Sequence, residues 1–410
     1  MLRAVRFAWL SLVRQPARSI LGVVGVTAIG ALLFDMLLLS RGLVLSFGDL
    51  LERSGFDVRV LASEAPPFAG PRLTRATALA QEIAVLPGIE AVLQLRLRGA
   101  ELVSAAGPSR PRTKNDESSG RVEFIGADPR VRSMWTIVEG QDLPAEGSAS
   151  VAVVNRQFAR HVGLRIGSAF ALRGRCGDDS TALPPVTFTV SGIAEFPFDS
   201  ATEFSVAGTL ADADRLCGQE SRDTADMLLV RSSPRLGSLA AAAAIRAVRP
   251  GLYAVSNEEL VERFSRVEFS YFRQISAALS VITLFFGFLL IAALLTVSVN
   301  QRLAEIAALR AIGLSRSRVA AGVVVESILL VGIGGALAVP VGAVVSVWLD
   351  AILRTLPGLP VQLHFFVFEP RAVLVYGGLL AMASIAAAVY PARIVSVLPI
   401  AATLRSEVVS

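Results

Sequence analysis

Lysine is almost absent. Lys114 is the only one among the 39 basic residues of this 410-residue chain. It stands in Arg-Thr-Lys-Asn-Asp with no glycine loop before it, which excludes a phosphate-cradling G-x-x-x-x-G-K-[ST] loop. Histidine is nearly as scarce. His161 and His364 lie far apart and share no H-E-x-x-H spacing, so no zinc hydrolase is indicated and each is expected at a surface or helix end. Cysteine is limited to Cys176 and Cys217. Charge is short as well: charged residues make up 18% of the chain, and the mean hydropathy is +0.59. A soluble protein of ordinary composition has about a quarter of its residues charged. The net charge of +5 sits largely in Arg3, Arg6, Arg14, Arg18 and one central loop, so nucleic acid is not an expected partner.

The shortage of charge is uneven. Ile275 to Val299 holds none, Val319 to Trp348 holds only Glu326, and 20–40 and 373–395 are two further mostly apolar runs. About 20 apolar residues are what a helix needs to cross a bilayer. The chain is therefore predicted to be an integral membrane α-helical protein with four transmembrane helices, at 20–40, 274–299, 319–348 and 373–395. A large α+β extracytoplasmic domain with helical stalks, 41–273, is inserted between helices 1 and 2. The arginines of 1–19 and 300–318 orient both segments to the cytoplasm. Residues 349–372 are then a short external loop and 396–410 a cytoplasmic tail.

Within that frame, 1–19 is predicted as an amphipathic interfacial helix with Trp9 at headgroup level, or else a plain positive flank. A cleaved leader is not expected, because no small-residue site follows the apolar run. Gly22, Gly25, Gly30 and Ala31 offer a small-residue face for close helix packing. Two acids inside spans are candidate functional groups, because such residues are costly there. Asp35 reaches the interface or a helix partner, or lines a substrate entrance; Glu326 pairs with a loop arginine or a polar neighbour. In the inserted domain, alternation predicts strands at 57–62, 89–98, 122–126, 150–154, 186–193, 226–231 and 252–255. Helices are predicted at 74–86, 155–162, 210–217 and 236–248, and 108–120 is a polar loop. From Ser256 one unbroken helix is expected to run into the second span. A kink is expected at Pro340 and a break at Pro391. Cys176 and Cys217 share the external domain and can form a disulfide or remain two thiols; the spacing does not choose.

The segment 300–318 is the most informative. Arg302, Arg310, Arg316 and Arg318 face a lone Glu305, and Leu303, Ile306, Ala307, Leu309 and Ile312 recur at helical spacing before a stop at Gly313. This predicts a short amphipathic helix at the cytoplasmic surface with an apolar face to offer. A solvated basic connecting loop is the plainer alternative.

Its wording, E-I-A-A-L-R-A-I-G-L-S-R-S-R, resembles the E-I-G-x-x-R-A-x-G-A-x-x-x-x-I signature of the FtsX/MacB-like permeases of ABC transporters. R-F-A-W-L-S-L-V-R-Q-P-A-R-S near the start, V-E-S-I-L-L-V-G-I-G-G-A around Glu326 and the closing Y-P-A-R-I-V-S-V-L-P-I-A-A-T-L-R are similar to that family too. So are E-G-Q-D-L-P, V-A-V-V-N, L-R-I-G-S-A-F and F-T-V-S-G-I-A-E-F in the inserted domain, which resembles a MacB-like periplasmic core. The departures are Thr403 where alanine is usual, the polar insert near 108–120 and the lack of a fused ATPase.

The resemblance implies a permease subunit in a bacterial inner membrane, multi-pass, with both termini cytoplasmic. It implies that Arg302, Glu305, Ile306, Leu309, Arg310, Ile312, Gly313 and Arg316 form a coupling helix that docks on a separate cytoplasmic ABC ATPase. The chain would not be an enzyme itself, would bind no cofactor or metal directly and would use ATP through its partner. A second copy or a homologous permease, membrane lipids and a periplasmic adaptor protein are the other implied partners. Mechanotransmission would serve export or extraction of a hydrophobic or amphipathic substrate, such as a lipoprotein, peptide or drug. The alternative within the same resemblance is a transmembrane signalling subunit that switches periplasmic cell-wall hydrolases.

Overall fold

The computed structural model describes residues 13–14, 16–65, 70–105, 120–145, 150–176, 183–218, 223–266, 270–301, 315–356 and 358–397. The chain begins with helix α1 (Pro16–Arg53), strands β1 (Val58–Leu61) and β2 (Leu73–Thr74), helix α2 (Ala76–Ala84) and the long strand β3 (Ile89–Ala105). Next come β4 (Arg121–Ala127), β5 (Thr136–Gly140), β6 (Val151–Asn155), α3 (Arg156–Val162), β7 (Ala169–Gly174) and β8 (Val186–Glu195). The inserted part ends with β9 (Ser205–Thr209), α4 (Leu210–Cys217), β10 (Thr224–Ala225), β11 (Met227–Ser232), α5 (Ser238–Val248), β12 (Tyr253–Ser256) and α6 (Asn257–Arg266). Three long helices follow: α7 (Ser270–Asn300), α8 (Arg316–Leu353) and α9 (Pro370–Val397). The chain forms two compact units.

The first unit is helical and comprises Met1–Leu43, Phe269–Ala351 and Phe365–Ser410. Among the described residues, four helices, α1, α7, α8 and α9, are long and apolar enough to cross a membrane. Small residues let them approach closely. A Cβ added at Gly25 would lie 2.7 Å from a Leu290 methyl, and one at Gly30 would lie 2.6 Å from the Tyr376 hydroxyl, so neither position accepts alanine without a shift. Phe34 is fully buried, edge-on to Tyr376 at 5.5 Å, and the Tyr376 hydroxyl donates to the Gly335 carbonyl at 3.1 Å. Large apolar side chains such as Leu21, Val344 and Leu374 face outward, as lipid contact requires. The expected break at Pro391 is not there: α9 continues to Val397. A proline removes one ladder bond and need not end a helix packed among others in a bilayer. Pro340 likewise sits inside an uninterrupted α8. The junction between α6 and α7, 267–269, lies outside the described residues, so the continuous rod expected there does too.

The second unit, Val44–Glu268 with Ile352–His364, is an α+β domain. Its main sheet runs β12-β1-β11-β3-β4-β9-β6-β8-β5, and β7 pairs with both β3 and β8. Strand β3 is long enough to belong to two structures. Its first half pairs with β11, while its second half pairs with β4 and β7. The pairings β3-β4-β9-β6-β8-β7-β3 close a ring, which leaves those strands few open edges. Phe124, Phe170 and Phe188 fill its interior, with Phe124 and Phe188 ring centroids 5.5 Å apart. The other half of the sheet, β12-β1-β11 and the start of β3, carries α2 and α5 on one face. There Val58, Val60, Leu228 and Val230 pack on Ala241, Ala242 and Ile245, all with no exposure. Five strands were missed by alternation: β5, β7 and β9, and the two-residue β2 and β10.

Local capping follows the sequence. Asn155 starts α3, its Oδ1 accepting from Phe158 N at 2.8 Å. Thr209 and Asp212 form a reciprocal box at α4, and Ser256 and Glu259 do the same at α6. Cys176 and Cys217 are joined as a disulfide with Cα atoms 5.4 Å apart, tying the end of β7 to the end of α4.

Candidate functional site

The sequence-predicted residues fall in three places. Arg302, Glu305, Ile306, Leu309, Arg310, Ile312 and Gly313 lie outside the described residues, as do most of 1–19, nearly all of 108–120 and 398–410; Arg316 is the first residue of α8. Asp35 and Glu326 are both buried in the helical unit. Asp35 Oδ1 accepts from the Ser346 hydroxyl at 2.7 Å, and Glu326 Oε1 accepts from Ser298 at 3.2 Å. Each therefore has a helix-to-helix hydroxyl partner, which is the structural one of the two roles expected for Asp35. Below them in the sequence, Asp350 holds the backbone N–H of Phe365 at 2.8 Å. His161 packs on Phe204 with centroids 4.8 Å apart, and the backbone N–H of His364 donates to the Ser46 hydroxyl at 2.6 Å.

The feature that sequence reasoning missed is a cavity of about 670 Å³ inside the α+β unit. Its floor is the sheet face opposite α2 and α5. Strand side chains alternate, so residues two apart share a face, and register decides which of them stand side by side. Tyr253 pairs with Leu61 across β12 and β1, and Val255 pairs with Arg59. Arg59 in turn lies opposite Leu229, and Met227 opposite Leu95. Leu97 lies opposite Ile125, and Glu123 lies opposite Gly99. Five adjacent strands thus contribute one continuous floor. The roof comes from helix residues spaced by three and four: Phe47 and Leu51 of α1, and Leu260, Arg263 and Phe264 of α6. Phe47 and Phe264 rings meet at 4.7 Å. One wall is the segment between β8 and β9, with Phe196, Phe198, Asp199 and Glu203.

Polar groups on this apolar lining are few and unequally matched. Arg263 pairs with Glu64 and donates to the Tyr253 hydroxyl at 2.6 Å. Asp199 accepts from Asn155 Nδ2 at 2.6 Å and from the Ser205 hydroxyl at 2.8 Å, so the α3 cap also anchors this wall. Glu203 accepts from the Ser200 N–H at 3.0 Å. Burial, and then the charges of Glu203 and Asp199, push the Glu123 carboxyl up to about 7. Burial likewise pushes Asp199 up to about 6, against the hydrogen bonds from Asn155 and Ser205. Arg59 is almost fully buried, touches Asn257 Oδ1, and lies over the Phe198 ring at 6.0 Å. Desolvation brings its guanidinium down to about 10, partly offset by Asp57, and its Nη2 has no hydrogen-bond partner among the described residues. Carboxyls shifted by burial and by like charge in a sheltered apolar hollow make this cavity a candidate functional site.

The FtsX-like permease C-terminal family matches residues 277–400, which take in most of α7 and all of α8 and α9. This part of the chain is an FtsX-like permease domain. Among solved structures, the chain is similar to the periplasmic region of MacB from Actinobacillus actinomycetemcomitans, at 10% identity over 53% of this chain and 97% of that one, with a TM-score of 0.38. It is also similar to the extracellular domain of the ABC-type transporter YknZ from Gram-positive bacteria, at 8% identity over 49% of this chain and 98% of that one, with a TM-score of 0.33. No curated protein matches the chain.

Proposed function

We propose that the chain is the permease subunit of an ABC transporter that couples ATP hydrolysis by a separate cytoplasmic ATPase to motion of its α+β domain outside the inner membrane. The substrate would be hydrophobic or amphipathic: a lipoprotein, peptide or drug to be exported or extracted. The FtsX-like match over 277–400 carries this reading, because it spans the second to fourth apolar helices and the segment between them. The intramembrane acids support it in a second way. Asp35 and Glu326 are each bonded to a neighbouring helix, which fits packing groups better than pore-lining ones and so favours work done on a substrate outside the bilayer.

The test is at 300–318. A segment that only orients the spans needs its arginines; a docking helix also needs apolar anchors, which carry most of an interface's energy. Leu309→Asp should release the ATPase on co-purification and abolish stimulated ATP hydrolysis, with membrane insertion retained because the basic residues stay. Arg316→Lys should behave nearly as wild type. If correctly inserted Leu309→Asp protein still binds and stimulates the ATPase, the coupling reading is wrong.

A further inference from the structure

The cavity in the α+β unit is used by nothing in the transport reading above. Its volume of about 670 Å³ falls within the range of sites that enclose a drug-sized molecule. The lining is mostly Leu, Phe, Met and Ile, which favours an apolar body. The charge pattern then restricts what that body must carry. Glu64 and Arg263 neutralise each other, which leaves Glu123, Asp199 and Glu203 against Arg59 alone. Arg59 does not serve the three carboxylates: its electrostatic partner is Asp57, and the charges acting on Glu123 are those of Glu203 and Asp199. The acid group is therefore short of positive charge. Among the described residues no group of three His, Cys, Asp or Glu is placed to hold a metal ion. A second feature also lacks its counterpart. Arg59 is more than nine-tenths buried on the same lining, and its Nη2 donor has no acceptor among the described residues.

We propose that this cavity binds an amphipathic organic cation, with an apolar body on the leucine and phenylalanine floor and a protonated amine against Glu123, Asp199 and Glu203. An oxygen on that body would give Arg59 the acceptor it lacks. Binding of this kind is an equilibrium of the domain itself and needs no ATPase. Protons compete with it. The groups facing Glu123 are Glu203 and Asp199, with Arg59 and the Glu64–Arg263–Tyr253 set as the remaining charged or titratable lining. Acidification to about pH 5 protonates Glu123 and Asp199 while an alkyl amine stays charged, so affinity for the amine falls as pH falls.

The experiment compares three probes on one aromatic body: 2-(1-naphthyl)ethylamine, 2-(1-naphthyl)ethanol and 1-naphthylacetate. Each is titrated calorimetrically into the full chain in nanodiscs of zwitterionic lipid, with empty nanodiscs subtracted. At about pH 8 the amine should bind roughly tenfold tighter than the alcohol, the difference expected of a charge-assisted contact, and the acid should bind weakest. Glu123→Gln with Glu203→Gln, which keeps side-chain shape and leaves Asp199 in its hydrogen bonds, should remove most of the amine's advantage. Met227→Trp, which fills the floor, should weaken amine and alcohol together. An amine that binds no better than the alcohol, an acid that binds best, or an advantage untouched by the double variant would overturn the proposal. Retained binding in a folded Met227→Trp protein would overturn the location. ATPase co-purification on the same samples separates this outcome from failure of the permease reading.

Discussion

The two faces of the β12-β1-β11-β3 sheet are made from the same strands and end in opposite ways. On the face under α2 and α5, Val58, Val60, Leu228 and Val230 meet an alanine-rich helix at full burial. On the other face the intervening residues, Arg59, Leu61, Met227 and Leu229, border a hollow. The alanines explain the closed face: Ala241 and Ala242 let α5 lie close to the sheet, so Cβ atoms and branched side chains fill the space between. The open face is roofed by large, widely spaced Phe47, Leu260 and Phe264, and it contains charges that oppose folding. A chain selected for stability alone would have closed both faces, so the difference points to a use for the second.

The comparison is broken most severely on the closed side. Leu228→Ala removes a fully buried side chain where α5 cannot follow, and it should destabilise the domain by about 2–5 kcal/mol. Met227→Ala, one residue away on the cavity face, only enlarges a space already present and should cost about 1 kcal/mol or less. Native-state hydrogen exchange of the β11 amides in the full chain measures both. Equal losses would mean that the two faces are packed alike.

Much of this arrangement was legible. Alternation found β1, β3, β4, β6, β8, β11 and β12, and helical spacing with caps found α2 to α5. The missed strands had no alternation to read. Residues of β5 are nearly all exposed, those of β9 almost all buried, and β7 holds a run of three buried residues, so the period of two never shows. The cavity was illegible for a different reason. Its floor depends on β1 pairing with β11 and on β3 passing from one sheet neighbour to the next, contacts between residues more than a hundred positions apart. One signal was available: Arg59 in D-V-R-V-L-A and Glu123 in R-V-E-F-I-G-A each share a strand face with an apolar residue two positions on, Leu61 and Ile125. A charge on the apolar face of a strand is a reason to expect something opposite it. In the membrane unit, Asp35 was noticed because any acid in a span is conspicuous, whereas its partner Ser346 was not.

A pH scan sharpens the comparison with a smaller effect. Folding raises the Glu123 carboxyl to about 7 and Asp199 to about 6, so the folded domain binds more protons than the unfolded chain between the ordinary carboxylate range and those values. The stability contributed by these two groups is therefore fully present below about pH 4.5, declines as pH rises through 5 and 6, and levels off just above 7. Glu123 accounts for roughly 2 kcal/mol of that decline after allowance for solvent screening. In Glu123→Gln, the thermal midpoint measured across pH should lose that part of the slope and keep the part due to Asp199. An unchanged slope would show that Glu123 is solvated and that the hollow is more open than its lining suggests.

The smallest expected effect is also the one whose sign matters most. Arg59→Met exchanges the lone cation of the cavity floor for an apolar side chain of similar length. Three losses follow. Asn257 Oδ1 loses its donor, a cost of about 1 kcal/mol; the contact over Phe198 goes, worth about 0.5–1 kcal/mol; and Asp57 loses an opposite charge while keeping its bonds from Ser232. Against these stands the removal of a guanidinium that is desolvated and only partly bonded, whose burial costs on the order of several kcal/mol. The sum is close to zero or stabilising, unlike the several kcal/mol expected one strand away at Leu228. Thermal unfolding of Arg59→Met should therefore match wild type or exceed it. A loss of more than about 2 kcal/mol would mean that Arg59 holds the sheet together, and the open face would then be explained by architecture rather than by a ligand.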